Sequence, residues 1–263
     1  MTATRVAIHG AAGRMGRRLV ALAVADPELK LVSAIDVATH PEIGSDAGVL
    51  AGTGTVGVKL TAGLETETDA MVDFSLPEAT ESVLQMCLDA RVPLVSSTTG
   101  LSEEQDAKLT AAAEVIPILR SPNMSMAVNL TMKLAEMAAR ALKDQDTDVE
   151  ILERHHRFKE DSPSGTALKF GQIVADCMGQ TNHVHGREGR VGARPHNEIG
   201  YHAIRVGDNP GEHTIVFAML GEMVEMTVRA TSRDCYALGA LAAAKFLAGK
   251  EPGLYSMEDI LGL

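Results

Sequence analysis

Arg5-Val6-Ala7-Ile8-His9-Gly10-Ala11-Ala12-Gly13-Arg14-Met15-Gly16 runs from a short apolar segment, through a turn of glycine and alanine, into residues suited to a helix. Arg5–His9 (RVAIH) has the length and composition of a buried strand, and Arg14–Ala25 has the spacing of a helix. Between them the side chains shrink to hydrogen and methyl. The backbone can therefore approach a pyrophosphate, while the helix start offers free N–H groups with a positive partial charge. The spacing is GxxGxxG and not the commoner GxGxxG, and such turns also join strands to helices where nothing binds.

Outward from this turn the β–α alternation continues. Leu29–Asp36 (LKLVSAID) reads as a second strand. Ala70–Phe74, Pro93–Ser96 and Val115–Leu119 read as further strands, separated by helices over Glu78–Ala90 and Glu103–Ala113. Ser102 and Gln105 form a capping box that starts the last of these helices. Such alternation predicts a doubly wound parallel sheet with ligands at the carboxyl ends of its strands.

Past residue 125 the pattern changes. A long helix over Ala127–Leu142 leads to a strand over Val149–Arg154, a polar loop and a helix over Thr166–Met178. Strands then follow over Ile199–Arg205, Thr214–Leu220 and Met223–Ala230. Turns as short as Leu220-Gly221-Glu222 join antiparallel neighbours, so this half is expected to hold an antiparallel or mixed sheet. A last helix over Tyr236–Ala248, rich in Ala and Leu, is expected to pack back onto the first half.

With 263 residues, 45% of them hydrophobic, the chain can bury a sizeable core in one large or two modest domains. No apolar run approaches the roughly 20 residues of a membrane helix. The first strand begins without the pattern of a signal peptide, so the cytoplasm is the expected compartment. Cys87, Cys177 and Cys235 are far apart, which suits a reducing compartment and gives neither a disulfide framework nor paired metal ligands. A formal net charge of -11 weighs against nucleic acid or an anionic membrane as partner. No tryptophan and 3% aromatics weigh against a base-stacking surface.

Asp36 ends the second strand about 20 residues beyond the glycines, where a carboxylate can accept hydrogen bonds from adenosine ribose hydroxyls. A terminal Asp can equally cap a turn. The carboxylate would repel a 2′-phosphate and Val37 beside it brings no cation, so NADH is expected to be preferred, with acceptance of NADPH left open. Ser97-Thr98-Thr99-Gly100 and Ser121-Pro122-Asn123-Met124 follow strands, where the nicotinamide half of a dinucleotide should rest. Their residue types are also ordinary loop content.

The densest chemistry lies in Glu153-Arg154-His155-His156-Arg157-Phe158-Lys159-Glu160-Asp161-Ser162-Pro163-Ser164-Gly165-Thr166-Ala167. Two imidazoles, three cations and a Pro-Ser-Gly-Thr turn share one strand-to-helix connection. The N–H groups of Gly165 and Thr166 and the Thr166 hydroxyl could receive a carboxylate at the helix start. Taken singly, each of these residues is more commonly a solvated side chain or a helix cap. Together they read as a site.

HHRFKEDSPSGTA resembles the HHxxKxDxPSGTA motif of the 4-hydroxy-tetrahydrodipicolinate reductase family, whose members serve the diaminopimelate and lysine pathway. The likeness extends over nearly the whole chain: VAIHGAAGRMG, GSDAG at 44–48, DFSLPE at 73–78, STTG, SPNMS, and IGYHAIR followed by Gly207 are each similar to family motifs. It implies an α/β protein, with a Rossmann-like doubly wound parallel sheet and an α+β substrate-binding and oligomerisation domain containing a mixed sheet. The expected division is 1–125 with 234–263 for the dinucleotide and 126–233 for substrate and assembly, with hinges near 126 and 233.

The resemblance further implies hydride transfer from a nicotinamide to a small cyclic dicarboxylate, and a homotetramer. By that likeness His155 is the proton donor with Lys159 as its catalytic partner. His156, Lys159, Ser164, Gly165, Thr166 and Arg233 touch the substrate. Gly10, Ala11, Ala12, Gly13, Arg14, Met15, Gly16, Asp36, Ser97, Thr98, Thr99, Ser121, Pro122, Asn123 and Met124 hold the cofactor. Ser162, Ser97, Met124 and Asp36 depart from the commoner family residues and bear on cofactor preference, not on the reaction class.

Two other classes compete with this reading. A semialdehyde dehydrogenase would use a cysteine nucleophile, and Cys235 sits at an expected helix start whose dipole would lower its pKa. A regulatory protein would bind NAD(H) without turnover, but has no use for proton donors facing a carboxylate cradle. A metal site at His183-Val184-His185 lacks supporting ligands, and no metal is expected.

Overall fold

The computed structural model describes residues 2–263. In chain order, the first elements are β1 (Thr4–His9), α1 (Arg14–Ala25), β2 (Leu29–Ile35), α2 (Ala47–Leu50), β3 (Leu60–Thr61) and β4 (Ala70–Asp73). A 3₁₀ turn over Pro77–Ala79 leads into α3 (Thr80–Ala90), followed by β5 (Leu94–Ser96), α4 (Glu103–Ala112), β6 (Pro117–Arg120) and α5 (Met126–Leu142). Then come β7 (Asp148–His155), α6 (Gly165–Met178), β8 (Asn182–His185), β9 (Glu198–Arg205), β10 (Gly211–Met219) and β11 (Glu222–Ala230). The chain ends with α7 (Asp234–Leu247), β12 (Gly253–Tyr255) and α8 (Met257–Leu261). It divides into two compact units, Met1–Met126 with Asp234–Leu263, and Ala127–Arg233.

The first unit is a seven-stranded parallel sheet in the order β12-β6-β5-β4-β1-β2-β3. Its strands are apolar on both faces because both are covered, as a parallel sheet requires. Along β1, Val6 and Ile8 enter a core shared with Leu19, Val20 and Ala23 of α1 and Ala240 and Ala244 of α7. Ala7, between them, faces the opposite core, with Val83 and Leu84 of α3 and Leu109 of α4. Each fully buried Leu, Ile or Val in these layers contributes about 1.5–3 kcal/mol.

The expected capping box forms at α4: the Ser102 side chain accepts from the Gln105 N–H, and the Gln105 side chain accepts from the Ser102 N–H. Several boundaries move by one to three residues, β10 most at its start, from the expected Thr214 to Gly211. The strand expected from Val115 starts at Pro117, because the Val115 and Ile116 N–H groups still bond back to the Ala112 carbonyl at the end of α4. The helix expected from Glu78 is preceded by the 3₁₀ turn, in which the Thr80 N–H reaches back only three residues to the Pro77 carbonyl.

The second unit holds a five-stranded sheet in the order β11-β10-β7-β9-β8. The β10–β11 and β7–β10 pairs are antiparallel and the β7–β9 and β8–β9 pairs parallel, so the sheet is mixed. Leu220-Gly221 forms the two-residue turn between β10 and β11, with Gly221 at φ 93°. Val128, Ala135 and Ala139 of α5 and Phe170 and Val174 of α6 bury the face made by Val149, Ile151, Ile215 and Phe217. Gly171 lets α6 lie close to β9, since a Cβ there would overlap the Tyr201 hydroxyl. Leu152, Ile204 and Met223 remain exposed on the sheet.

Candidate active site

In the first unit a cavity of about 740 Å³ lies over the turn between β1 and α1. Gly10, Gly13, Arg14, Met15 and Asp36 line it, whereas Ala11, Ala12 and Gly16 are buried beneath. Gly10 takes a φ of 72°, and a Cβ on Gly16 would overlap the Gly10 carbonyl oxygen, so the turn tolerates side chains at neither position. No side chain caps α1 and no acidic residue sits in its first turn, which leaves the positive end of the helix turned to the cavity. Asp36 fastens the turn from the neighbouring strand: Oδ2 accepts from the Ala12 N–H at 3.0 Å and Oδ1 from the Val37 N–H at 2.9 Å. Exposed Val37 and Leu76 add an apolar wall suited to a flat base. These residues fit a dinucleotide.

A buried polar cluster not anticipated from the sequence underlies the same end of the sheet. His9 Nδ1 lies 3.0 Å from Asp73 Oδ1, and the Thr98 hydroxyl donates to Asp73 Oδ2 at 2.8 Å. Burial would raise the Asp73 carboxyl, but the hydrogen bonds from His9, Ser75 and Thr98 outweigh it and hold the group below the usual carboxylate range. Its signal was a polar residue ending each of two apolar strands, His9 on β1 and Asp73 on β4. Of the two loops assigned to the nicotinamide, Ser97, Thr98, Ser121 and Met124 are buried, Thr99 and Pro122 exposed and Asn123 half-buried. None of them lines the cavity. Met124 belongs to the core, and a Cβ on Gly239 would overlap its carbonyl oxygen.

In the second unit the β7–α6 connection brings the histidines, the lysine and the helix start together. Inward-facing positions of β7 read Val149, Ile151, Glu153 and His155, so the strand's core face turns polar at its carboxyl end. His155 Nδ1 lies 2.6 Å from Glu153 Oε2. Glu153, 2% exposed, also receives both terminal nitrogens of Arg205, each at 2.7 Å, and the Ser164 N–H at 3.0 Å on Oε1. Burial would raise this carboxyl, but Arg205 and His155 hold it well below the usual range. Burial pushes the His155 imidazole below its ordinary value; Glu153 opposes the shift, and Lys159 and Arg205 add to it.

Ser164 caps α6 by accepting from the Ala167 N–H, and its hydroxyl lies 3.0 Å from His213 Nε2. His213 stands edge-on to His155, with centroids 5.1 Å apart, and burial drives its pKa down to about 4. Lys159 pairs with Asp161 at 2.8 Å. His156 Nε2 lies 2.9 Å from Arg233 Nη2, and its Nδ1 is buried without a hydrogen-bond partner. Gly165 is exposed and Thr166 half-buried in the first turn of α6. The sequence reading missed Glu153, Arg205 and His213 as members of this cluster. Glu153 and His213 lie on strands in phase with buried apolar neighbours, the periodicity that could have revealed them, whereas Arg205 follows exposed Ala203 on its phase of β9.

The rival reading of Cys235 is corrected. Cys235 does lie at the start of α7, but burial raises its pKa instead of lowering it, so it is not an activated thiolate. His183 Nδ1 lies 2.7 Å from the Tyr201 hydroxyl. No helix among the described residues is long and apolar enough to cross a membrane.

Comparison with known proteins bears on both units. Residues 4–124 match the family described as Dihydrodipicolinate reductase, N-terminus, and residues 127–261 match Dihydrodipicolinate reductase, C-terminus. A 4-hydroxy-tetrahydrodipicolinate reductase from Rhodopirellula baltica is 58% identical, covering 97% of this chain and 95% of its own. One from Alkalilimnicola ehrlichii is 51% identical over 99% of each. Among solved structures, a dipicolinate-bound dihydrodipicolinate reductase from Paenisporosarcina superposes with a TM-score of 0.77 at 24% identity, covering 97% of this chain and 98% of its own, which is a likeness of fold.

Proposed function

The chain belongs to the dihydrodipicolinate reductase family, and from that premise we propose how its own residues reduce 4-hydroxy-tetrahydrodipicolinate in lysine and diaminopimelate biosynthesis. The observation that carries the assignment of roles is the concentration, in one strand-to-helix connection, of a buried histidine on a carboxylate, a lysine and the start of a helix. Gly165 and Thr166 receive one substrate carboxylate at the start of α6, where each charge-assisted hydrogen bond is worth about 1.5–3 kcal/mol. His156 and Arg233, held together, supply further polar contact.

When bound, the reduced nicotinamide supplies a hydride. Loss of the 4-hydroxyl as water leaves a cyclic conjugated imine, and a hydride added at C4 pushes an electron pair onto the neighbouring carbon. His155 delivers the proton that this carbon takes up, while the Lys159 ammonium stabilises the negative charge as it spreads. With Nδ1 committed to Glu153, the proton to be donated sits on Nε2.

The cavity over the glycine turn is the proposed nucleotide groove. Asp36 lines it as a carboxylate and supports NADH as the preferred donor; Arg14 on the same wall keeps NADPH acceptable. The sheet positions left exposed at Leu152, Ile204 and Met223 support self-association, and the proposed assembly is a homotetramer acting in the cytoplasm. The test is loss of reduced-nicotinamide absorbance with substrate generated in situ from pyruvate and aspartate semialdehyde, run with each nucleotide. Turnover is expected with both, faster with NADH; tight NADH binding without oxidation refutes the reading. Sedimentation of the purified protein as a monomer refutes the assembly.

A further inference from the structure

We infer that Glu153 is a positioning residue of the reaction: its carboxylate, clamped by Arg205, fixes the tautomer of His155 and ties that proton donor to the start of α6. The inference rests on the proposed role of His155 and goes beyond it by naming what makes that role workable.

The geometry is that of a four-way junction on one buried carboxylate. Oε2 meets His155 Nδ1 at 2.6 Å and Arg205 Nη1 at 2.7 Å; Oε1 meets Arg205 Nη2 at 2.7 Å and the Ser164 N–H at 3.0 Å. Because the carboxylate is ionised it accepts only, so His155 Nδ1 must carry the hydrogen. Nε2 is then the nitrogen left for the substrate in either protonation state. The Ser164 bond fixes the residue that caps α6, so donor and carboxylate cradle hang from the same anchor.

A buried imidazole resists protonation, and a donor must be protonated. The groups facing His155 are Glu153 from its own strand, Arg205 from β9, His213 from β10, and Lys159, paired with Asp161, from the loop. Among them the carboxylate of Glu153 is the group that draws the imidazole toward its charged form, and burial, Lys159 and Arg205 oppose it. A neutral side chain at 153 therefore moves the donor's titration acidward. Arg205 serves indirectly, by keeping Glu153 ionised where burial would protonate it.

The experiment measures kcat against pH at saturating substrate for the wild type, Glu153→Gln, Glu153→Asp and His155→Ala, with nitrogen NMR of the imidazole tautomer in the wild type. In Glu153→Gln the fall of kcat on the alkaline side should move acidward by about one pH unit or more, costing about tenfold near neutrality and recovering as the pH drops. Its substrate KM should stay close to wild type, Glu153→Asp should restore the wild-type profile, and the neutral wild-type imidazole should carry its proton on Nδ1. A loss in Glu153→Gln that is uniform across pH, or a wild-type proton on Nε2, overturns the inference; the tautomer decides even where a variant fails to fold. Full turnover in His155→Ala overturns both this and the donor assignment, whereas loss there with an unmoved Glu153→Gln profile overturns the inference alone.

Discussion

Asp36→Asn separates what the Asp36 carboxylate does as a charge from what it does as a structural acceptor. Asn keeps a side-chain oxygen for the Ala12 N–H that Asp36 holds at 3.0 Å, so the glycine turn keeps that anchor while the bond from the Val37 N–H is lost. The negative charge on the cavity wall is lost. At about 5 Å and an effective dielectric of ~20, one unit charge acting on another is worth about 3 kcal/mol. Screening with a Debye length of about 8 Å at physiological salt reduces that to about 1–2 kcal/mol in favour of a 2′-phosphate. NADH loses the charge assistance of its ribose hydrogen bonds, about 1 kcal/mol. At 1.4 kcal/mol per factor of ten, the ratio of kcat/KM for NADPH to that for NADH should rise by about 30- to 150-fold. Initial-rate kinetics with both nucleotides on one preparation measures it, and taking the ratio cancels any general damage to the turn. A ratio that stays put, or moves toward NADH, refutes the placement of the adenosine ribose at Asp36.

Three further outcomes are expected. His155→Ala and Lys159→Ala should each lower kcat by about 100-fold or more while circular dichroism and melting behaviour stay native, as loss of a positioned acid or of its charge partner requires. His213 is driven down to about 4 in the folded state from about 6.5 unfolded. Its contribution to stability is therefore complete above the unfolded value and is lost as pH falls from about 6.5 toward 4. Between about pH 7.5 and 5 the loss amounts to about 2 kcal/mol, so His213→Gln should lose that much less stability over the same interval in denaturant titrations. Cys235→Ala should keep wild-type turnover, because a thiol whose ionisation is opposed by burial is no nucleophile.

Sequence alone determined the architecture of this protein wherever one physical rule governs many residues. The two-residue period of Val6, Ala7 and Ile8, apolar on both faces, specifies a doubly covered parallel strand, and Gly10 and Gly16 specify the turn after it. Ser102 with Gln105 specifies the start of α4, and Leu220-Gly221 the hairpin of the mixed sheet. Short elements were illegible: β3, β8, β12 and α8 carry too few residues for a period to emerge, and they exist because a longer neighbour offers an edge or a surface to pack on.

The candidate site divides in the same way. His155, Lys159, Gly165 and Thr166 stand close together in sequence, so their motif could be read directly. Glu153 could not be read as a working residue, because its meaning depends on Arg205, 52 residues away, and on the Ser164 N–H across the loop. His213, His9 and Asp73 showed only as isolated polar residues on apolar strands, and they acquire partners when the sheet register sets His213 opposite Glu153 and His9 opposite Asp73. Only tertiary structure decides such cases, since the charge and tautomer of a buried group are fixed by which partners the fold brings to it.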